Sequence, residues 1–573
     1  MTTAIQSDAG AAGSGRLVRA IDWRGAFWVA SGVPALVLFS IGGIASTAGY
    51  AAFAVWGVSM LMGFVQSFTY AEIAGLYPNK SGGASVYGAT AWLRYGKLLA
   101  PLSVWCNWIA WTPVLSLGCS IAAGYILNAI APVPTFTEAS PEVIAWLGDP
   151  AHAGQSAADA IAAVTAAATP AIQTWSLISF DLPWLPAISL NSTFFIGAIL
   201  MLIVFAIQHR GILGTANTQK WIGLLVIIPM LIVGIVPLFN GSFDSANFSP
   251  FVPGTTAEAT WNNGGWTLFL GGLFIAAWST YAFETAICYT SEFRNPGTDT
   301  FKAIFYAGLL CLVLYTLVPF TFQGALGVSG MTDPGVVAGT GVADAMANMV
   351  AGGNILLKRI FVVLMILALI LAIMTAMAGS SRTLYQGSVD GWLPRYLSHV
   401  NSHGAPTRAM WTDLVTNLIL LSFVSSDVAM YYTVLAISNC GYIIFNFLNL
   451  NAGWMHRMDS PHIKRPWRAP TILIGFNTIL AFVNAALMGA GAKVWGSTAL
   501  LWYGLATAAA IIPVFWYRHY VQDGGRFPDH MLADLGLEGQ DLGERRAGIL
   551  PYVALVLGLV VVLVANHLFQ MPA

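Results

Sequence analysis

Residues 266–295, WTLFLGGLFIAAWSTYAFETAICYTSEFRN, place a single acid, Glu284, inside an apolar run long enough to cross a bilayer. The next charges, Glu292 and Arg294, follow eight and ten residues later, so a helical rise of about 1.5 Å per residue puts Glu284 roughly 12 Å inside the membrane interface. A carboxylate at this depth costs about 2.5 kcal/mol or more, and such acids usually face a cavity that serves ions or substrates. The stretch therefore predicts a membrane-embedded pathway for a solute or an ion.

The composition excludes a soluble protein of several domains. Of the 573 residues, 57% are hydrophobic and only 9% are charged, whereas soluble domains carry about 25% charged residues. We therefore expect an all-α polytopic membrane protein. Its apolar segments predict thirteen membrane spans, numbered one to thirteen. They cover residues 26–48, 52–76, 99–127, 191–208, 217–239, 265–290, 302–328, 355–378, 409–426, 428–451, 471–491, 498–517 and 548–568.

The distribution of basic residues predicts a cytoplasmic N-terminus. With that orientation, 21 of the 24 lysines and arginines fall in cytoplasmic loops and tails, and only Lys358, Arg359 and Lys493 fall outside. Cytoplasmic loops of membrane proteins carry an excess of basic residues, so the reverse orientation is disfavoured. We expect a multi-pass protein of the inner or plasma membrane of the cell.

The regions outside the spans are polar. Residues 1–25 lack the apolar core of a cleavable signal peptide and form a cytoplasmic tail. Residues 128–190 form a long, acidic outer loop with an alanine-rich, partly helical stretch, and this loop is either a substrate lid or a variable loop. The cytoplasmic segment 518–547 separates span twelve from span thirteen, which we expect to be an addition to a core of twelve helices. The five cysteines all lie within spans, where they act as small apolar residues.

Four motifs carry a resemblance to a known family. Residues 70–88, YAEIAGLYPNKSGGASVYG, follow span two, and residues 291–304, SEFRNPGTDTFKAI, follow span six. Residues 380–394, SSRTLYQGSVDGWLP, end span eight, and residues 464–470, KRPWRAP, precede span eleven. In this order, and at these positions relative to the spans, the motifs resemble those of the amino acid-polyamine-organocation superfamily of permeases.

The resemblance implies a five-plus-five inverted-repeat transporter fold. Spans one to five, residues 26–239, would form the first repeat, and spans six to ten, residues 265–451, the inverted second repeat. Spans eleven and twelve would occupy residues 471–517. Spans one and six would be broken near the membrane midplane. At such breaks, half-helix N-termini bind a carboxylate and freed carbonyl groups bind an ammonium group.

Span one contains a break signal in residues 31–43, SGVPALVLFSIGG. Pro34 removes a helical hydrogen bond and disfavours helix at the residue before it. The family usually has Gly-Ser-Gly at this break, whereas span one has only Gly32-Val33-Pro34 and, later, Gly42-Gly43. A proline kink in a continuous helix is the alternative. We place the substrate carboxylate at Gly32, Val33, Pro34, Ala35 and Leu36.

The resemblance also supplies candidates in span six. Trp278 and Glu284 have the spacing of a gating aromatic residue and a following glutamate in the arginine/agmatine antiporters of the superfamily. Trp278 could instead fill the core or anchor at an interface, and a protonated Glu284 could hold the broken helices together. The expected substrate-binding set also includes polar and aromatic side chains whose alternative role is helix packing. These are Trp111, Ser279, Ser438 and Asn439.

Coupling and gating residues follow from the same resemblance. Lys220, at the start of span five, resembles a lysine that proton-coupled members place where sodium-coupled relatives bind sodium. With Glu284 it would couple transport to protons, whereas a lysine that only reaches interfacial water is the alternative. Glu72, near the inner end of span two, would pair with Arg382 as a cytoplasmic gate, or would only support packing there. Hydroxyl groups of span eight leave sodium as the second candidate coupling ion.

The remaining classes of protein are less compatible with the sequence. No span carries a cluster of His, Asp and Glu with ligand spacing, so we expect no enzyme, no metal and no cofactor. Nothing resembles the selectivity filter of a channel, and a receptor with this fold would bind a solute without accumulating it. The sequence predicts a permease that moves an amino acid or related amine by alternating access with proton coupling. A sodium-coupled symporter and an exchanger are the alternatives. Its partners would be that small molecule, the proton and membrane lipid, with no nucleic acid.

Overall fold

The computed structural model describes residues 17–134, 136–152, 154–182, 185–425, 427–537 and 542–571. Most of these residues are α-helical, as the apolar composition predicts. The helices are α1 (Trp23–Val29), α2 (Ile41–Ala48), α3 (Ala52–Gly75), α4 (Ala84–Trp92), α5 (Leu99–Trp111), α6 (Pro113–Ile130), α7 (Pro141–Leu147), α8 (Ala157–Ala168), α9 (Ala171–Thr174), α10 (Ser192–Gln208), α11 (Ile212–Ile235), α12 (Asn263–Thr280), α13 (Pro296–Met331), α14 (Pro334–Val337), α15 (Val342–Ala351), α16 (Ile355–Val389), α17 (Thr407–Val424), α18 (Val428–Asp459), α19 (Thr471–Ala509), α20 (Ile511–Trp516), α21 (Asp529–Asp534) and α22 (Leu550–Leu568).

The helices confirm an all-α polytopic membrane protein. Within the described ranges, nine helices are long and apolar enough to cross a membrane, or ten if the bent pair Trp23–Phe39 and Ile41–Ala48 is one span. All thirteen predicted spans fall on helices. Spans four and nine correspond to α10 and α17, and spans eleven and twelve form one run, Thr471–Gln522. This run is a pair of helices because Gly496 and Ser497 depart from helical geometry.

Span one is interrupted rather than merely kinked. Residues Ala30–Phe39, between α1 and α2, form a 3-10 helix that contains Pro34. Ser40 then leaves helical geometry, with φ −142° and ψ 5°, and the axis turns by 42°. The predicted break at residues 32–36 therefore lies within the 3-10 segment, while the bend comes later, directly before the glycine pair Gly42-Gly43.

Span six also changes from α-helix to 3-10 helix, but it forms one run, Asn263–Glu292, without the bend of span one. Its helix α12 ends at Thr280, and a short 3-10 helix, Ala282–Ile287, carries Glu284. A further 3-10 turn, Thr290–Glu292, completes the span before α13. Glu284 thus lies on 3-10 backbone beyond the end of α12. Membrane proteins tolerate such a departure from the α-helix where the backbone is surrounded by protein or lines a cavity.

The loop after span two enters the protein. Gly82 and Gly83 adopt φ values of +95° and +82°, which glycine reaches without the penalty of a side chain. The chain then continues into α4, all nine residues of which are buried. The glycine pair therefore does more than end a helix, because it directs the start of α4 toward the break in span six.

The outer loop contains the short helices α7, α8 and α9, in keeping with its alanine-rich composition. It also contains an antiparallel hairpin that we did not predict, in which β1 (Ser176–Leu182) pairs with β2 (Leu185–Asn191). The hairpin leads directly into α10. The sequence signal was weak because a strand of mixed polar and apolar residues resembles an ordinary loop.

Candidate functional site

Glu284 is buried and accepts from three donors on two elements, α5 and α4. Trp111 Nε1 and Asn107 Nδ2, both on α5, donate to its Oε1 at 3.1 and 3.4 Å. The backbone N–H of Ala84, the first residue of α4, faces its Oε2 at 3.4 Å. Only 1% of Glu284 is exposed. All three donors are neutral, so the carboxylate is solvated by the protein without a fixed positive charge.

The start of α4 fits closely against Glu284. A Cβ atom on Gly83 would lie 2.7 Å from Cys288 Sγ and 3.2 Å from Glu284 Oε2. The N-terminus of a helix carries free N–H groups and a partial positive charge, which stabilise a nearby anion. The absence of a side chain at Gly83 thus lets this helix end approach the acid.

Trp278 closes the region on the other side of the break. Its Nε1 donates to Ala110 O at 3.0 Å and to Ser438 Oγ at 2.8 Å, and that hydroxyl also donates to Ala110 O at 3.0 Å. The ring centroids of Trp278 and Phe39 are 5.9 Å apart. The indole therefore ties α12 to α5 and α18 and covers the end of the 3-10 segment of span one.

Three carbonyl groups in and beside the 3-10 segment of span one accept bonds from side chains. Val29 O accepts from the Thr375 hydroxyl at 2.7 Å and from Gln219 Nε2 at 3.0 Å. Val33 O accepts from the Tyr315 hydroxyl at 2.6 Å, and Phe39 O accepts from the Tyr431 hydroxyl at 3.0 Å. The donors come from α16, α11, α13 and α18. These are the freed carbonyls that a broken helix would present to an ammonium group.

The other predicted binding residues are buried in the same region, with differing contacts. A side chain at Gly32 would overlap Leu371 O and Thr375 Oγ1, so this glycine brings span one against α16. Ser279 Oγ donates to Ala276 O within its own helix at 3.1 Å. Asn439 Nδ2 donates to Phe274 O, which joins α18 to α12. Pro34, Ala35 and Leu36 are buried within the 3-10 segment.

Lys220 is not brought to this region. Its side chain is exposed, and its Nζ lies 5.4 Å from the ring centroid of Trp221, which is also exposed. The neighbouring residue, Gln219, is the one that faces inward. It donates to Val29 O and, at 3.0 Å, to Thr375 Oγ1. Because adjacent residues on a helix point about 100° apart, Gln219 faces inward while Lys220 faces outward. This placement fits the alternative of an interfacial lysine.

The predicted pairing of Glu72 with Arg382 is wrong in this conformation. Glu72 accepts instead from Arg457 at 2.6 Å and from Arg465 at 3.2 Å. Arg382 pairs with Glu292, at 2.5 Å from Nε and 3.0 Å from Nη2. The reason is positional: the end of span six lies between α3 and α16 and supplies its own acid to Arg382. The buried pair that joins α16 to span six is therefore Arg382–Glu292.

A second buried ion cluster lies at the same end of the molecule. Lys80, which is 1% exposed, contacts Asp390 at 2.7 Å and Asp534 at 3.1 Å. Nearby, Ser81 N donates to Gln386 Oε1 at 3.1 Å. The cluster joins the loop before α4 to the end of α16 and to α21. Two charged contacts thus close the end that the charge distribution assigns to the cytoplasm.

Sequence reasoning missed several residues that take part in this arrangement. Glu292 stood in a quoted motif and Asn107 lies four residues before the predicted Trp111, but their partners are distant in sequence. Asp413 on α17 is a second buried carboxylate within a predicted span, and it was passed over although a lone acid in an apolar segment is a signal in itself. Among the described residues, no group of three or more His, Cys, Asp or Glu could hold a metal ion.

Comparison with known proteins identifies the family. A family profile described as amino acid permease matches residues 21–512. The lysine-specific permease LysP of Lactococcus lactis subsp. cremoris is 26% identical over 58% of this chain and 66% of its own length. The branched-chain amino acid permease BcaP of the same organism is 22% identical over 40% of this chain and 47% of its own length. The polyamine transporter PUT1 of Oryza sativa subsp. japonica is 22% identical, over 51% and 53% respectively.

These matches span only about half to two thirds of the relatives' lengths. The family profile, in contrast, covers most of the chain and includes both broken spans and all four motifs. The family is one of transporters rather than enzymes. The chain is a multi-pass membrane protein that belongs to the amino acid permease family, within the amino acid-polyamine-organocation superfamily.

Proposed function

We propose that this protein carries an amino acid or a related amine across the cell membrane by alternating access, with coupling to protons and with a cytoplasmic N-terminus. In this scheme residues 26–239 and 265–451 are the two inverted repeats. The names of these relatives concern lysine, branched-chain amino acids and polyamines, which supports a substrate with an amino group. The observation that carries the proposal is the position of Glu284, which lies in the 3-10 segment of span six and accepts bonds from α4 and α5.

The contacts of Glu284 explain how a proton would change the conformation. An ionised carboxylate accepts from Trp111, Asn107 and the N–H of Ala84. A proton on Oε2 would set an O–H group against the Ala84 N–H, so that two donors would face each other. The contact between Glu284 and the start of α4 would then be lost, and the loop at residues 80–83 would be free to move.

The substrate site lies, in this proposal, beside the 3-10 segment of span one. The substrate's ammonium group would replace the side-chain donor on one of the carbonyls of Val29, Val33 and Phe39, which lie too far apart along the 3-10 segment to bind one ammonium group together. Trp278 would cover it from the outer side. The lining would comprise the residues expected from the sequence, Gly32–Leu36, Trp111, Trp278, Ser279, Glu284, Ser438 and Asn439. The described side chains in this set are buried, which corresponds to a closed state.

Closure toward the cytoplasm would depend on the pair Arg382–Glu292 and on the Lys80 cluster. A buried charge left without its partner is costly, at about 3–5 kcal/mol. When the protein opens toward the cytoplasm, each charge of a broken pair must therefore gain a new partner or contact with water. Because Lys80 lies four residues before Ala84, movement of the α4 start would reach this cluster directly.

Sodium coupling is the second candidate. Val29 O and Thr375 Oγ1 are oxygen ligands of the kind that sodium prefers, and they meet between span one and α16. Gln219 Nε2 donates to both of these oxygens and so occupies the place of a cation with an amide group. This arrangement favours protons over sodium as the coupling ion.

Uptake into proteoliposomes tests the proposal. The purified protein would be offered radiolabelled L-lysine, L-leucine and putrescine under an imposed pH gradient and, separately, a sodium gradient. Accumulation driven by the pH gradient supports proton coupling. Accumulation driven only by sodium would replace the proton with sodium, and failure to take up any of the three compounds would refute the proposed substrate class.

A further inference from the structure

Asp413 lies on α17 and is fully buried. Trp108 Nε1 donates to its Oδ1 at 3.0 Å, and the Thr112 hydroxyl donates to the same oxygen. The Ser380 hydroxyl of α16 donates to Oδ2 at 2.5 Å. In the part of the chain that the structure describes, no lysine or arginine forms an ion pair with Asp413. The carboxylate thus gathers three neutral donors from two other helices.

The contacts of α17 lie at the junction between α5 and α6. Thr112 separates these helices, and Pro113 follows it. One turn further along α17, Asn417 Oδ1 accepts the backbone N–H of Ser116 at 3.1 Å, and Asn417 Nδ2 donates to Asp413 O at 2.9 Å. Asp413 and Asn417 therefore hold the two sides of the same junction.

The same stretch of α5 supplies both side-chain donors to Glu284. Trp111 and Asn107 lie four residues apart and share one face of α5, while Trp108 and Thr112 lie on the neighbouring face, about 100° away. One helix is therefore held by two carboxylates. Asp413 binds the face toward α17 and α16, and Glu284 binds the face toward span six.

We propose that Asp413 is a positioning residue for the Glu284 site: it fixes the rotation of α5 at the α5–α6 junction, so that Trp111 and Asn107 reach Glu284. This inference rests on the proposed transport function, because it concerns the same site. Loss of the acceptor at Asp413 removes the partner of the buried Trp108 and Thr112 donors and leaves the Ser380 hydroxyl with only Met377 O, at 3.4 Å. Helix α5 then rotates or shifts, and the contact between Trp111 and Glu284 weakens.

A double-mutant cycle tests this inference. The variants are Asp413→Ala, Trp111→Phe and the double substitution, each reconstituted as the full chain. Asp413→Ala should raise the KM for uptake about tenfold, as expected for loss of a hydrogen bond to a charged group. Vmax should change by less than about twofold, since the pathway itself is intact. If Asp413 acts through Trp111, the double variant should show little more effect than either single variant.

Two further variants separate positioning from general packing. Asp413→Asn retains an acceptor for Trp108 and Thr112, and its amide group can donate to the Ser380 oxygen, so it should restore most of the lost affinity. Thr416→Val is the matched control on α17, because its hydroxyl donates only to Thr412 O within the helix. It should leave KM unchanged.

The same double-mutant cycle is repeated with the melting temperature of the purified protein as the readout. That measurement needs no substrate. There the Asp413→Ala and Trp111→Phe effects should again be less than additive. Additive effects on both KM and melting temperature would overturn the inference while leaving the transport function standing. An Asp413→Asn variant that transports but no longer responds to a pH gradient would overturn it as well, because Asp413 would then bind the coupled proton. If the wild type transports none of the compounds offered, the proposed function fails, and the melting temperatures alone decide the inference.

Discussion

Replacement of Glu284 by glutamine should abolish proton-driven accumulation while leaving the protein folded. Glutamine has nearly the same shape, and its Oε1 can still accept from Trp111 and Asn107. Its Nε2 group would then face the N–H of Ala84, which now lies 3.4 Å from a carboxylate oxygen. The substitution thus removes a titratable proton site and sets two donors against each other.

The expected loss of accumulation and of apparent affinity follows from two separate effects. A pH difference of one unit is worth about 1.4 kcal/mol per proton, so a carrier that moves one proton with each substrate reaches about tenfold accumulation. Without a proton site the variant reaches equal concentrations on both sides. An unsatisfied buried donor costs about 1–3 kcal/mol, which would weaken the closed state by roughly five- to 150-fold. Both the gradient response and the apparent affinity should therefore fall.

The assay is uptake into proteoliposomes with an inside-alkaline pH gradient. Glu544→Gln is the control for loss of one acidic charge, because Glu544 is exposed and its contact is with Arg546 at the surface. This control should accumulate substrate as the wild type does. If Glu284→Gln accumulates substrate as well as the wild type, Glu284 is not the coupling residue, and the account of its contacts is wrong.

Three other substitutions test neighbouring parts of the site. Gly83→Ala should abolish transport, because its methyl group would overlap Cys288 Sγ and press against Glu284 Oε2. Gly241→Ala has a similar positive φ with open space around it and should cost only the backbone strain of about 1–2 kcal/mol. Uptake rates of the two variants decide this. Trp278→Phe should raise KM about fivefold, because it loses an indole hydrogen bond worth about 1 kcal/mol. Trp495→Phe is the control: it loses a similar bond to a carbonyl and should leave KM unchanged. Arg382→Ala should destabilise the closed state by about 3–5 kcal/mol, because it leaves a buried acid unpaired, and should lower the melting temperature more than joint replacement of the arginine and its acid by apolar residues.

The parts of the fold that follow from local sequence could be predicted. The thirteen apolar segments all fall on helices, of which nine or ten in the described ranges are long and apolar enough to cross a membrane, and the four motifs identified the family. The resemblance predicted a break in span six, where the α-helix gives way to a 3-10 helix at Glu284. The hairpin of the outer loop could not be predicted, since its pairing joins two short segments without a strong alternating pattern.

The partners within the site could not be read from the sequence, because they depend on helix rotation and on distant pairings. Gln219, rather than Lys220, faces span one, and a shift of one residue on a helix is a rotation of about 100°. Arg382 could have met either of two acids near the same membrane boundary, and only the structure distinguishes Glu292 from Glu72. The bend of span one lies at Ser40, six residues after the proline that signalled it.

Radiotracer counterflow tests the central claim most directly. Proteoliposomes would be loaded with unlabelled L-lysine, L-leucine or putrescine and diluted into trace amounts of the same labelled compound. A carrier that works by alternating access should produce a transient accumulation of label above the outside concentration for at least one of the three. Entry of label without such an overshoot would indicate a channel-like pathway, and it would contradict alternating access around Glu284.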